Sequence, residues 1–223
     1  SHEIRTPMNG IIGMTTIALH KDQTPERILD CLQKIQSSSD YLLGLINDIL
    51  DMSKIESGKM KLEPFNFNMD EMLSTIRELI LPQATAKGIR FIQDIDLTNR
   101  WFVGDRMRIS QVLINLLGNA VKFTPEGGRI TLTIKEASAP NESSSLYFAV
   151  KDTGTGIARE EQDRVFRSFE QAANRSPSKQ QGTGLGLSIS SRLIQLMGSS
   201  IQLESALGKG STFSFTISLA PGE

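Results

Sequence analysis

The sequence predicts a two-helix hairpin followed by an α+β sandwich, and three observations predict it. Apolar residues recur at alternating spacings of four and three through most of the first sixty positions, the rhythm of helices packing at a shallow angle. Beyond Gly58 the pattern changes to short alternating stretches interleaved with helical ones. Three segments rich in glycine or side-chain amides stand at strand and helix junctions in this second part.

The bulk numbers narrow the function classes. A chain of 223 residues accommodates one ordinary domain and a small helical one. Hydrophobic residues at 39% and charged residues at 22% fit a packed, soluble protein. A net charge of -1 argues against nucleic acid or an acidic membrane surface as the main partner. Cys31 is the only cysteine, which excludes an internal disulfide and suits a reducing compartment. No apolar run approaches the roughly 18 residues of a membrane span. The expectation is therefore a cytoplasmic segment without membrane contact. It opens on Ser1-His2-Glu3, without Met and already in a helical pattern, and reads as a piece of something longer.

The elements follow in order. Ile4, Met8, Ile11, Thr15 and Ala18 mark a first helix. Thr24-Pro25-Glu26 starts a second, with Thr24 as N-cap and Pro25 in the first helical position. Ile28, Leu32, Ile35, Ser39, Leu42, Leu45 with Ile46, Ile49 and Ser53 continue it to a stop at Gly58. Such a hairpin cannot bury its apolar stripe alone. It predicts a homodimer forming a four-helix bundle, the alternative being that the stripe packs on the second domain. Residues 61–68 read as a strand, 70–86 as a helix, 89–95 as a strand and 105–123 as a strong helix. Residues 129–136 and 146–151 form a hairpin, 185–197 a helix, and 200–205 and 212–218 two final strands around Gly208-Lys209-Gly210. This order suggests one mixed sheet with helices on one face. The domains are thus 1–60 and 61–223, with a hinge over 59–63.

Three segments of the second domain suit a nucleotide. Asp152-Thr153-Gly154-Thr155-Gly156 follows a strand. Its carboxylate could accept from an exocyclic amine, and its glycines let backbone approach a flat ring; a tight turn explains the pattern equally well. Gly182-Thr183-Gly184-Leu185-Gly186-Leu187 opens a helix, where exposed N–H groups at the positive end of the dipole can cradle phosphate. A hinge before a helix is the other reading. Asn115, Asn119 and Lys122 share one face of the strong helix. Amide oxygens can ligate a hard cation and an ammonium offsets phosphate charge, although an ordinary amphipathic helix shows the same polar face.

Taken together these segments resemble the sensor histidine kinases of two-component systems. Ser1-His2-Glu3-Ile4-Arg5-Thr6-Pro7 is similar to their H-box, residues 105–124 to their N-box, 152–157 and 182–187 to their two glycine boxes. Arg164-Val165-Phe166-Arg167-Ser168-Phe169-Glu170-Gln171 is similar to the F-box, and 208–213 to the closing hairpin. The boxes come in family order and cover essentially the whole chain. Phe169-Glu170-Gln171-Ala172 and Met8-Asn9-Gly10-Ile11-Ile12-Gly13-Met14 look most like hybrid kinases, which carry a receiver domain later in the chain.

The resemblance implies an ATP-binding sandwich of the histidine-kinase, Hsp90, gyrase and MutL type. It implies autophosphorylation of His2, transfer to an aspartate of a response-regulator receiver domain, ATP and Mg2+ as cofactors, and a parent protein that is often membrane-anchored. A neutral imidazole is a competent nucleophile near neutral pH, and Glu3 can orient it and take up its proton. Thr6, one turn on, implies a phosphatase activity toward the regulator. Asp152 would take the adenine amino group, Asn119 with Asn115 the metal, Lys122 the phosphates and Phe123 the adenine side. Gly154, Gly156, Gly182, Thr183, Gly184, Leu185, Gly186, Leu187 and Thr212 would complete the nucleotide site, under a mobile lid over 160–181. The chain departs from the pattern at Gln181, where a glycine is usual, and at Thr155, where an aliphatic is. Two readings from other classes stand beside this one: a docking platform or phosphatase that binds ATP without phosphorylating His2, and a chaperone-type ATPase. The latter relatives carry a glutamate where this chain has Asn115, and an amide is no general base at pH 7.

Overall fold

The computed structural model describes residues 2–137, 144–167 and 184–223. Among the described residues, one compact unit comprises 2–60 with 184–185, and the other 61–137, 144–167 and 186–223.

Helices α1 (His2–Ala18) and α2 (Pro25–Glu56) form the first unit as a hairpin. Helix α2 starts where the Thr24 hydroxyl accepts the Arg27 N–H at 3.3 Å and Pro25 fills the first turn, where a missing N–H costs nothing. It stops at Gly58, whose φ of +65° lets Gly58 N–H and Lys59 N–H turn back to the carbonyls of Ile55 and Lys54 at 3.0 and 2.9 Å. The apolar pattern of α2 resolves into two stripes. Ile28, Cys31, Ile35, Leu42 and Leu45 are half-buried or buried, whereas Leu29, Leu32, Leu43, Ile46, Ile49 and Leu50 stay exposed. The single stripe expected from sequence mixes the two, grouping Leu32, Ile46 and Ile49 with Ile28 and Leu42. Adjacent stripes on one helix share the same 4-3 spacing, so spacing alone cannot separate them.

The second unit is a mixed sheet with helices on one face. Its elements run β1 (Phe65–Asn68), α3 (Met69–Ala86), β2 (Arg90–Asp96), β3 (Trp101–Gly104), α4 (Arg106–Phe123), β4 (Arg129–Ala137), β5 (Ser144–Asp152), α5 (Gly186–Leu196), β6 (Gln202–Ala206) and β7 (Gly210–Pro221). The sheet order is β1-β3-β7-β5-β4-β2, with β6 also on β7. Among the described strands only β2 and β4 are parallel neighbours. The strand expected over 61–68 begins only at Phe65, because Asp105 Oδ2 takes the Glu63 N–H at 3.0 Å. Strand β3 has no counterpart among the expected elements; it pairs with β1 and with Val103↔Ala220 and Phe102↔Pro221 of β7.

The pleat sorts the side chains. Ile130, Leu132 and Ile134 of β4, Leu146, Phe148 and Val150 of β5, and Phe213, Phe215 and Ile217 of β7 are buried. Alternate residues such as Tyr147, Lys151, Thr216 and Ser218 are exposed. Phe148 and Phe215 stack with centroids 5.0 Å apart, a contact that adds about 0.5–1.5 kcal/mol beyond burial. Helix α4 answers with Ile109, Val112, Leu113, Leu116, Leu117 and Ala120, and α3 with Met69, Met72, Leu73, Ile76, Ile80 and Ala84, each at helical spacing.

Asp105 fixes where α4 begins. Its Oδ1 accepts the Arg108 N–H at 3.0 Å while Oδ2 holds Glu63. Asp105→Ala should lower the stability of this unit by about 1–2 kcal/mol. The measurement is urea unfolding followed by Trp101, the only tryptophan; an unchanged midpoint would mean the carboxylate is not a cap.

Candidate nucleotide site

Helix α4 carries Asn115, Asn119, Lys122 and Phe123 toward and into its last turn. All four are half-buried. Lys122 Nζ stands 5.0 Å from the Phe123 ring centroid, within cation–π range. The Asn119 carboxamide makes no hydrogen bond within the described residues, so its oxygen is available to a ligand. Asn115 is committed differently: its Nδ2 donates to the buried Ser190 hydroxyl at 2.8 Å. Its oxygen faces the start of α5, 2.2 Å from where a Cβ on Gly186 would stand. Glycine at 186 is what allows α5 to approach this amide.

The turn after β5 borders the same end of α4. Asp152, 7% exposed, accepts the N–H groups of Gly154 and Ser211 on Oδ1 at 2.7 and 3.3 Å. Two backbone donors on one oxygen orient the carboxylate. A Cβ on Gly154 would lie 2.6 Å from the Phe123 carbonyl oxygen, and one on Gly156 (φ +67°) 2.0 Å from that of Ala206. The turn is therefore pressed between the end of α4 and the β6–β7 connection. Thr155 joins both: its N–H donates to Phe123 O at 3.3 Å, and its carbonyl accepts the Gly208 N–H at 2.7 Å.

The structure gathers most of the expected residues and separates one. Asn115, Asn119, Lys122, Phe123, Asp152, Gly154, Gly156, Gly186 and Leu187 belong to α4, the β5 turn and the start of α5. Gly182 and Thr183 lie outside the described residues, as do 168–171 of the F-box stretch and most of the expected lid. Gly184 and Leu185 precede α5, the former with φ +68° and the latter buried. Thr212 is not brought to Asp152. It pairs with Lys151, and along β7 it alternates with buried Ser211 and Phe213, so it faces away from the helices. Ser211 takes that position, its hydroxyl 2.9 Å from that of Ser205. Counting the pleat in twos from Phe213 would have found it. In the first unit His2 opens α1, followed by exposed Glu3 and Thr6. Burial first, and then the charges of Glu3 and Asp48, push the Tyr41 phenol up, which puts Glu3 within electrostatic reach of α2.

Comparison with known proteins matches both units. Residues 104–221 match the family of histidine kinase-, DNA gyrase B- and HSP90-like ATPases. Residues 1–58 match the His Kinase A (phospho-acceptor) domain. Sensor histidine kinase GacS of Pseudomonas protegens is 41% identical over 98% of this chain and 24% of its own length. Hybrid signal transduction histidine kinase B of Dictyostelium discoideum is 42% identical over 97% of this chain and 11% of its own. The chain thus spans about a quarter or less of these curated relatives. Among solved structures, full-length ShkA in complex with AMPPNP aligns with a TM-score of 0.75 and 32% identity, over 99% of this chain and 45% of its own. Histidine kinase ThkA in complex with response regulator protein TrrA aligns with a TM-score of 0.71 and 26% identity, over 99% of this chain and 60% of its own.

Two glycines test the close approach. Gly156→Ala should cost more than about 1 kcal/mol from the left-handed backbone alone, with the Ala206 carbonyl clash added. Gly118, inside α4 with nothing within 4 Å of where a Cβ would stand, should instead gain about 0.5–1 kcal/mol on substitution by Ala. Urea midpoints read both; equal shifts would refute the packing of the turn.

Proposed function

The chain belongs to the histidine kinases of two-component signalling, and we propose that it binds Mg-ATP beside α4 and phosphorylates its own His2. The observation that carries this reading is the buried Asp152 carboxylate, oriented by two backbone N–H groups at the edge of the α4 terminus. A carboxylate so held is a ready acceptor for the adenine amino group, and Phe123 supplies apolar surface beside it. Lys122 offsets phosphate charge, with the glycine-rich segment ahead of and into α5, from Gly182 to Leu187, as phosphate cradle. Mg2+ fits the Asn119 carboxamide, a half-buried hard oxygen donor unpartnered among the described residues, and when bound would draw charge from the phosphates. Asn115, its donor spent on Ser190, supports that site through its remaining oxygen.

Asn115 also favours a nucleophile other than water. A carboxylate there could activate water, whereas an amide cannot take a proton at neutral pH. In the proposed reaction an imidazole nitrogen of His2 attacks the γ-phosphorus. The P–N bond forms, the bond to the β,γ-bridging oxygen breaks and ADP leaves. Glu3 takes the ring proton. An aspartate carboxylate of a receiver domain then attacks the same phosphorus: the P–O bond forms, the P–N bond breaks, and the proton returns from Glu3 so that His2 leaves as neutral imidazole. Thr6, exposed one turn beyond His2, is proposed to order water for the regulator's dephosphorylation.

The first 60 residues serve, in this reading, as dimerisation and phosphotransfer domain, and residues 61–223 as catalytic domain. The exposed stripe on α2, from 37% at Ile49 to 59% at Leu43, supports a homodimer closing into a four-helix bundle. No described helix is long and apolar enough to cross a membrane; we propose a cytoplasmic location for this segment.

Incubation with γ-labelled ATP and Mg2+ should give an acid-labile, base-stable label that His2→Gln abolishes, with AMPPNP affinity unchanged within about twofold. A label surviving in the variant would refute His2 as acceptor. In sedimentation equilibrium the wild type should run as a dimer and Leu43→Lys/Ile46→Lys as a monomer. A variant that remained dimeric would move the interface elsewhere.

A further inference from the structure

An α-helix leaves its last carbonyls without partners inside the helix, and the last turn of α4 is where Lys122 and Phe123 stand. The Ala120 carbonyl is taken by the Thr124 N–H at 3.0 Å and that of Phe123 by the Thr155 N–H at 3.3 Å. The two between them, Val121 and Lys122, both accept from one group, the Lys87 ammonium, at 2.8 Å each. Lys87 comes from the C-cap of α3, thirty-odd residues earlier, and is half-buried. Its backbone is laced to the segment after α4: Gly127 N–H donates to Gly88 O at 3.0 Å and Arg90 N–H to Gly128 O at 2.9 Å. A cation at the negative end of the α4 dipole is favoured, and its donors diverge to grip two peptide groups at once.

We infer that Lys87 is a positioning residue for the nucleotide: it grips the peptide groups flanking Lys122 and so holds Lys122 and Phe123 where ATP meets them. It rests on the ATP reading above and goes beyond it, because no nucleotide motif in the sequence includes residue 87. Lys87 touches no reacting atom. Its effect travels through the backbone of the last turn, whose side chains contact the bound nucleotide. Losing the grip should therefore weaken nucleotide binding more than the rate of transfer once ATP saturates the site.

The test uses the intact chain with AMPPNP and Mg2+ in calorimetry, and labelled ATP for KM and kcat. Lys87→Met keeps length and removes the donors; Lys87→Arg keeps donors. Asp105→Ala, which loosens the opposite end of α4, controls for plain loss of stability. Lys87→Met should raise the AMPPNP Kd and the ATP KM by about tenfold, one charge-assisted bond's worth or less, with kcat within about twofold. Lys87→Arg should recover most of the affinity. Asp105→Ala should leave Kd within about twofold despite an equal or larger drop in urea midpoint. Wild type that bound AMPPNP while Lys87→Met bound it equally well would overturn the inference and leave the ATP reading standing. So would an Asp105→Ala protein that lost as much affinity as Lys87→Met, or a Lys87→Arg protein that recovered none. Wild type that bound no AMPPNP would overturn both.

Discussion

Helix α4 ends in carbonyl groups that its own turns cannot satisfy, and much of the second unit is arranged around meeting that demand. Donors arrive from Thr124, from the Lys87 side chain and from Thr155. These three come from the helix's own exit, from α3 and from the turn after β5. Satisfying the helix end thus brings α3, α4 and the Asp152 turn to one point. Lys122, Phe123 and Asp152, the residues proposed to meet the nucleotide, border that point. The start of the same helix is fixed by a single carboxylate, Asp105, which also ties down Glu63. Between two such ends a helix is a stiff element, and Asn115 and Asn119 are displayed on it at constant spacing.

The opposite demand governs the hairpin. Its inner stripe is modest, with Cys31 and Leu45 the fully buried members of α2, and its outer stripe remains in water. Each leucine of that size gains about 1.5–3 kcal/mol on full burial, so six exposed positions represent a strong drive toward association. In the second unit the inner faces of the sheet and of its helices bury one another, while scattered apolar residues such as Phe65, Met107 and Leu207 stay exposed.

Local chemistry in the sequence was enough to find the helix starts at Thr24 and Asp105, the stop at Gly58 and the strands with strict alternation. Each of those depends on neighbours within a few residues. What escaped depends on distance along the chain. Strand β3 is four residues long and owes its existence to partners in β1 and at residues 220–221. Lys87 reads as an ordinary exposed lysine until α4 lies beside it. Thr212 stands one position along from Ser211, which on a pleated strand is the opposite face, and it is the Ser211 N–H that donates to Asp152. The two stripes of α2 could not be told apart because both obey the same period.

Strand β7 pairs with β3, β5 and β6, and of the sheet's strands it emerges from the ribosome last. At about 5–20 residues per second, β3 and β5 wait several seconds with open edges before their common partner appears. During that interval Phe148 lacks Phe215, and the Asp152 carboxylate lacks its Ser211 donor. The pairings β1–β3 and β2–β4–β5 can form earlier, but the two halves of the sheet are joined only when β7 arrives.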